Sequence, residues 1–196
     1  MSRRAEITRS TGETQVGVSL ALDGSGAGRR QTGVGFLDHM LDLLARHAHL
    51  DLDVQAEGDL HAGAHHTAED VAICIGQALD RALGDRAGIS RYGQATIPMD
   101  EARASCAIDI SGRGLLVFAG QLPPGAIGNF DHELVEEFMR ALAMNARLTL
   151  HLTIEVGGNV HHMIEAAFKA LARALRLATA IDPSENGVPS TKGTLT

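Results

Sequence analysis

The chain has no tryptophan, one tyrosine and two cysteines among its 196 residues, and each scarcity narrows what it can be. Cys74 and Cys106 stand singly within apolar patterns, outside any CxxC spacing, so a disulfide framework or redox pair is disfavoured and buried thiols in a reducing compartment are expected. Basic residues are outnumbered, 17 against 24 acidic ones, for a formal charge of −7. Binding a nucleic-acid backbone needs a clustered surplus of Lys and Arg, so no nucleic-acid partner is expected. Apolar stretches are broken by charge well short of the roughly 18 residues of a membrane span. Met1-Ser2-Arg3-Arg4 leads into a strand-like segment rather than an apolar signal core, so a cytoplasmic location with no membrane partner is expected.

What is present is an ordinary globular composition, 44% hydrophobic and 21% charged, with ten histidines, several of them in adjacent pairs. The length admits one domain or two small ones fused.

Self-similarity organises the chain. Residues 39–52 align with 137–150 at an offset of 98, both reading as a helix that runs into a strand. His65-His66-Thr67-Ala68-Glu69 aligns with His161-His162-Met163-Ile164-Glu165 at an offset of 96, each opening a helix. More weakly, Glu13–Leu22 aligns with Glu101–Ile110 at an offset of 88, both alternating as strands do. Val71, Cys74, Ile75, Ala78, Leu79 and Ala82 follow helical spacing, as do Ile164, Ala167, Phe168, Leu171, Ala172 and Leu175, and each stripe fits against a sheet. Helices are expected from Phe36 to about His47 and from Glu133 to about Arg147. Strands are expected over Leu50–Val54, Ala104–Ile110, Leu115–Phe118 and Leu148–Val156. The fold class is therefore α+β, an internal duplication of a sheet-plus-two-helices unit, the two halves packed about a pseudo-twofold axis. Residues 1–92 form the first repeat and 93–181 the second. Residues 182–196 form a C-terminal tail, rich in turn residues, expected to become ordered on closing over a ligand.

The duplicated HHxxE carries the chemistry. His65 and Glu69 lie four apart on one helix face, while His66 is aimed elsewhere and lies three from Glu69, so one motif can serve two ions. His161, His162 and Glu165 repeat this, and His39 contributes from the preceding helix. The repeat partner of His39 is Glu137, not the nearby His132. Mixed imidazole and carboxylate ligation without thiolate points to Mn, Fe or Zn. A lone histidine is ordinarily a satisfied polar residue, so His47, His49, His61, His132 and His151 are assigned no function.

Gly35-Phe36-Leu37-Asp38-His39-Met40, His65-His66-Thr67-Ala68-Glu69-Asp70, His161-His162 with Glu165 and Lys169, and the ending Pro189-Ser190-Thr191-Lys192-Gly193 together resemble the imidazoleglycerol-phosphate dehydratase family over nearly the whole chain. The resemblance implies a manganese-dependent lyase of histidine biosynthesis. It implies a homo-oligomer, a 24-subunit shell built from trimers, and the removal of water from a small phosphorylated imidazole whose ring binds between two divalent ions. Carried over by position, one ion is held by His65, Glu137, His161 and Glu165, and the other by His39, His66, Glu69 and His162. Glu137 stands where many members have His. His39, His65, His66, Glu69, His161 and His162 also line the substrate site, with Glu13 as a further substrate contact. Arg91, Arg113, Lys169, Ser190, Thr191 and Lys192 match the phosphate contacts, and Glu13, Glu69 and Glu165 are the candidate acid–base carboxylates. Asp100 and Glu101 lie in a segment that the family shares, where turn chemistry explains them equally well. Two rivals stay open on the residues alone. A metallohydrolase would keep an open water position and need no phosphate clamp; a metal-dependent assembly protein would turn over no azole.

Overall fold

The computed structural model describes residues 3–195. The first half runs β1 (Arg4–Ser10), β2 (Thr14–Ala21), β3 (Arg30–Gln31), α1 (Gly35–Ala48), β4 (Asp51–Gly58) and α2 (His65–Leu83). The second half repeats the order with one insertion: β5 (Tyr92–Met99), β6 (Ala102–Asp109), β7 (Leu115–Ala119), the hairpin β8 (Ala126–Ile127) and β9 (Phe130–Asp131), α3 (Leu134–Asn145), β10 (Thr149–Val156) and α4 (Val160–Thr179). The sheets are ordered β1-β2-β4-β3 and β5-β6-β10-β7, so each strand has its repeat partner in the same place. In both, the last pair (β3 with β4, β7 with β10) is parallel and the rest antiparallel.

Each half covers one sheet face with helix, as its amphipathic stripes require. Packing between the halves is crosswise. Helix α2 lies on β1 and β2 and is backed by α3; α4 lies on β5 and β6 and is backed by α1. That reciprocity is what a pseudo-twofold relation demands. One apolar cluster runs through both sheets and all four helices. Small residues permit the close approach: a Cβ on Gly76 would meet the Leu142 carbonyl at 2.8 Å, and one on Gly93 the Ala174 carbonyl at 2.0 Å. The repeat reaches the backbone too, since His49 and Arg147, each between helix and strand, take φ of 57° and 55°.

Helices and central strands fall within a few residues of their expected positions. Strand β5 is not among the expected strands, and it carries Gly93 and Pro98, residues that weaken a strand pattern. It is an edge strand, where a missing N–H is tolerated, and it opens at Tyr92, one residue before the expected boundary between repeats. The tail is tied down by the chain itself. Asp182 N donates to the Gly88 carbonyl (2.9 Å) and Gly88 N to the Gly187 carbonyl (2.8 Å). Arg91 Nη1 donates to the Pro189 carbonyl (2.8 Å) and Arg86 Nη1 to that of Leu195 (2.5 Å). Among the described residues no helix is long and apolar enough to cross a membrane.

Candidate functional site

Two helix mouths place the histidines. At α4, the Asn159 side chain accepts from His161 N (2.9 Å), satisfying one of the free N–H groups of the first turn. His161 and Glu165 thereby share a face one turn apart. Helix α1 has no side-chain N-cap, but Asp38 Oδ1 accepts from Thr32 N (2.8 Å) and Thr32 Oγ1 (2.7 Å). This fixes the start of α1 and brings His39 onto α4. Glu165 Oε1 then accepts from His39 Nε2 (2.9 Å) and His161 Nε2 (3.1 Å), while Oε2 accepts from Lys169 Nζ (2.5 Å). The Phe36 ring closes one side, edge-on to His161 at 5.1 Å between centroids.

Glu165 is 7% exposed. Burial opposes its ionisation, but the hydrogen bonds from Lys169, His39 and His161 outweigh that and hold its carboxyl at about 2. His39, His161 and Glu165 form the single group of three or more His, Cys, Asp or Glu among the described residues whose donor atoms all lie within 4.8 Å. Two imidazoles and an ionised carboxylate suit a borderline divalent cation, so this donor set fits one.

The mouth of α2 has a different arrangement. His66 Nδ1 lies 3.0 Å from Asp59 Oδ2, and its Nε2 lies 3.7 Å from Glu13 Oε1. The Asp59 hydrogen bond, above all, raises the His66 pKa. His65 is exposed and Glu69 half-buried. Glu137 is half-exposed on α3, with Arg140 Nε 3.9 Å away. At α4, His162 Nδ1 sits 2.8 Å from Glu101 Oε2, which raises the His162 pKa and, with the Asn159 N–H, holds the Glu101 carboxyl at about 2. Of the eight residues expected as ligands, three are therefore gathered, and His65, His66, Glu69, Glu137 and His162 lie outside that group. Asp59 had no signal beyond its place between β4 and α2. Glu101 had one, as the repeat partner of Glu13, but its turn setting masked it.

Arg91, Arg113, Ser190, Thr191 and Lys192 line one open cavity of about 810 Å³. Arg91 is gripped by Asp109 through Nε (2.8 Å) and Nη2 (3.1 Å) and lies over the Tyr92 ring at 4.6 Å. Ser190 Oγ accepts from Lys192 N (3.2 Å), which shapes the turn. Lys169 is not part of this cavity and contacts Glu165 and the Met99 sulfur (3.1 Å).

A family model described as imidazoleglycerol-phosphate dehydratase matches residues 32–175. Proteins of that name are similar over the full length. The one from Geobacillus kaustophilus is 54% identical over 195 residues, 100% of each chain. The one from Azorhizobium caulinodans is 57% identical over 194 residues, 98% of each chain. Among solved structures, the Staphylococcus aureus imidazoleglycerol-phosphate dehydratase superposes with a TM-score of 0.83 at 44% identity, covering 91% of this chain and 99% of its own. That of Pyrococcus furiosus superposes at 0.82 and 35% identity, covering 96% and 100%.

Proposed function

Because the chain belongs to the imidazoleglycerol-phosphate dehydratase family, hydro-lyases of histidine biosynthesis, we propose that it dehydrates D-erythro-imidazole-glycerol phosphate to imidazole-acetol phosphate at a centre for two divalent ions, Mn²⁺ above others. The convergence of His39, His161 and Glu165 carries the metal reading. His65, Glu137, His161 and Glu165 would hold one ion, and His39, His66, Glu69 and His162 the other. His39 touches Glu165 although the two belong to different sets, which supports two ions side by side. One chain carries both sets without gathering them, so a second copy completes each site and the enzyme is a homo-oligomer.

The product has a CH₂ on the ring and a carbonyl on the next carbon. The hydroxyl therefore leaves from the ring-attached carbon and the proton from its neighbour, and the resulting enol becomes the ketone. When bound, the ions would favour loss of the imidazole N–H proton, and the electron-rich ring can then help to expel the hydroxyl from the carbon attached to it. The residues divide the remaining work. Glu165, saturated by three hydrogen bonds and held ionised, serves as a ligand rather than a proton carrier. Glu13, its side chain 55% exposed beside His66, has the freer carboxylate and is the better general base or acid. Glu69 is the alternative. Arg113, Ser190, Thr191 and Lys192 would bind the phosphate, with Arg91 oriented by Asp109. Lys169 would reach a phosphate only by leaving Glu165. Residues 182–196 would act as the substrate-closing tail of two repeats spanning 1–92 and 93–181.

Turnover of imidazoleglycerol phosphate by metal-stripped protein, with and without Mn²⁺ and alongside His161→Ala, tests this reading. Activity restored by Mn²⁺ and absent in the variant supports it. No turnover with any divalent metal sinks it.

A further inference from the structure

The rings of His66 and His162 are each held at Nδ1 by a carboxylate, yet the repeat does not make those carboxylates equivalent. At the offset of 98 that relates β4 to β10, Asp59 falls on Gly157; at the offset of 88 that relates the β-turns, Glu101 falls on Glu13. An ionised carboxylate can only accept, so the proton of the neutral imidazole sits on Nδ1 and the lone pair is left on Nε2. We infer that Asp59 and Glu101 are positioning residues that set the tautomer and ring plane of His66 and His162, so that each offers Nε2 to a metal ion. The inference rests on the metal-binding reading above.

Two different local solutions to one problem argue against chance surface pairing. Glu101 is the more constrained. Its Oε1 accepts from Gly158 N (3.2 Å) and Asn159 N (2.7 Å) at the entry to α4, while Oε2 faces His162 Nδ1 at 2.8 Å. Both oxygens are in use, so an amide cannot replace the carboxylate. With its oxygen kept on the two backbone N–H groups, a glutamine turns its NH₂ towards Nδ1 and favours the Nε2–H form, which blocks the ligand atom. Asp59 presents both oxygens to His66 Nδ1, at 3.0 and 3.2 Å. An asparagine there can keep its oxygen on the ring.

The test pairs ring-tautomer measurement by long-range ¹H–¹⁵N NMR, on metal-free protein at a pH where the rings are neutral, with calorimetric titration of Mn²⁺. We expect Nδ1–H in both rings of the native protein. Glu101→Gln should move His162 to Nε2–H and weaken binding of one ion roughly 10- to 100-fold, leaving His66 and the assembly state unchanged. Asp59→Asn should give a smaller loss. A Glu101→Gln protein that retains Nδ1–H at His162, or whose Mn²⁺ affinity equals that of a native protein that binds, overturns the inference alone. Native protein that binds no Mn²⁺ overturns the metal reading and the inference with it.

Discussion

The two halves share a backbone and differ in what they place at equivalent points of it. In the first half, Arg9, Thr14 and Asp70 make a polar knot between strands and α2: Asp70, 6% exposed, accepts from Arg9 Nε (2.7 Å) and from the Thr14 hydroxyl. The repeat positions in the second half are Ile97, Ala102 and Ala166, and Ala102 packs in a small apolar cluster with Ile154 and Met163. Likewise Lys169, which grips Glu165 on α4, has Ile73 as its partner on α2. The shared apolar stripes hold the fold, and the polar positions are where one half could become a different chemical surface from the other.

The largest expected effect separates the halves at the metal centre. His39 on α1 and Glu137 on α3 are repeat partners assigned to different ions. His39→Ala and Glu137→Ala should each halve the bound Mn²⁺, from two ions per chain to one, with turnover falling to background in both. Elemental analysis of the purified variants decides it. If Glu137→Ala retains both ions, Glu137 is a surface carboxylate facing Arg140, and the pseudo-symmetry stops short of the ligands.

The polar knot gives the next largest effect. Asp70→Ala strips Arg9 of its partner and leaves a buried Thr14 hydroxyl with Thr11 Oγ1 at 3.3 Å as its remaining side-chain neighbour, which should cost about 1–3 kcal/mol of unfolding free energy. Arg9→Ile, Thr14→Ala and Asp70→Ala together write the second half's solution into the first and should recover most of that loss, because a packed apolar set can stand in for an ion pair with one buried partner. Urea unfolding of the metal-free protein measures both. A triple variant no better than Asp70→Ala would mean that the surroundings of the two helices are less alike than their backbones.

The parts of the molecule legible in the sequence are those built on periodicity and on the repeat. The helix stripes, the central strands and the two HHxxE segments could be read because a duplicated pattern checks itself. Strand β5 was hidden by Gly93, which the close approach of α4 requires, and by Pro98, which an edge strand tolerates. The carboxylates that hold His66 and Arg91 were hidden for another reason. Asp59 and Asp109 act through contacts seven and eighteen residues away, on different elements from their partners, and no local spacing marks them. Arg91 and the tail residues were matched by motif alone, and only the fold places Arg91, Arg113, Ser190 and Lys192 around one cavity.

The smallest expected effect is a pH dependence that weighs the two helix mouths against each other. His66 and His162 both have raised pKa values in the folded chain, chiefly through Asp59 and Glu101. A raised pKa contributes stability that is fully present below the unfolded value of 6.5 and is lost as the pH rises through the folded value. Glu165 and Glu101, held at about 2, act in the opposite sense. Their contribution is present above the ordinary glutamate value of 4.5 and is lost as the pH falls towards 2. These four groups together favour the metal-free protein between about 4.5 and 6.5 and weaken it on both sides, while His47, whose pKa burial lowers, acts against them as the pH falls below 6.5. Each mouth should supply its own share of the alkaline loss, so Asp59→Asn should remove the part due to His66 and Glu101→Gln the part due to His162. Urea midpoints across the pH range would show two separable shares if the mouths are independent. A single variant that abolishes the whole alkaline loss would place one mouth in control and end the parallel between the halves.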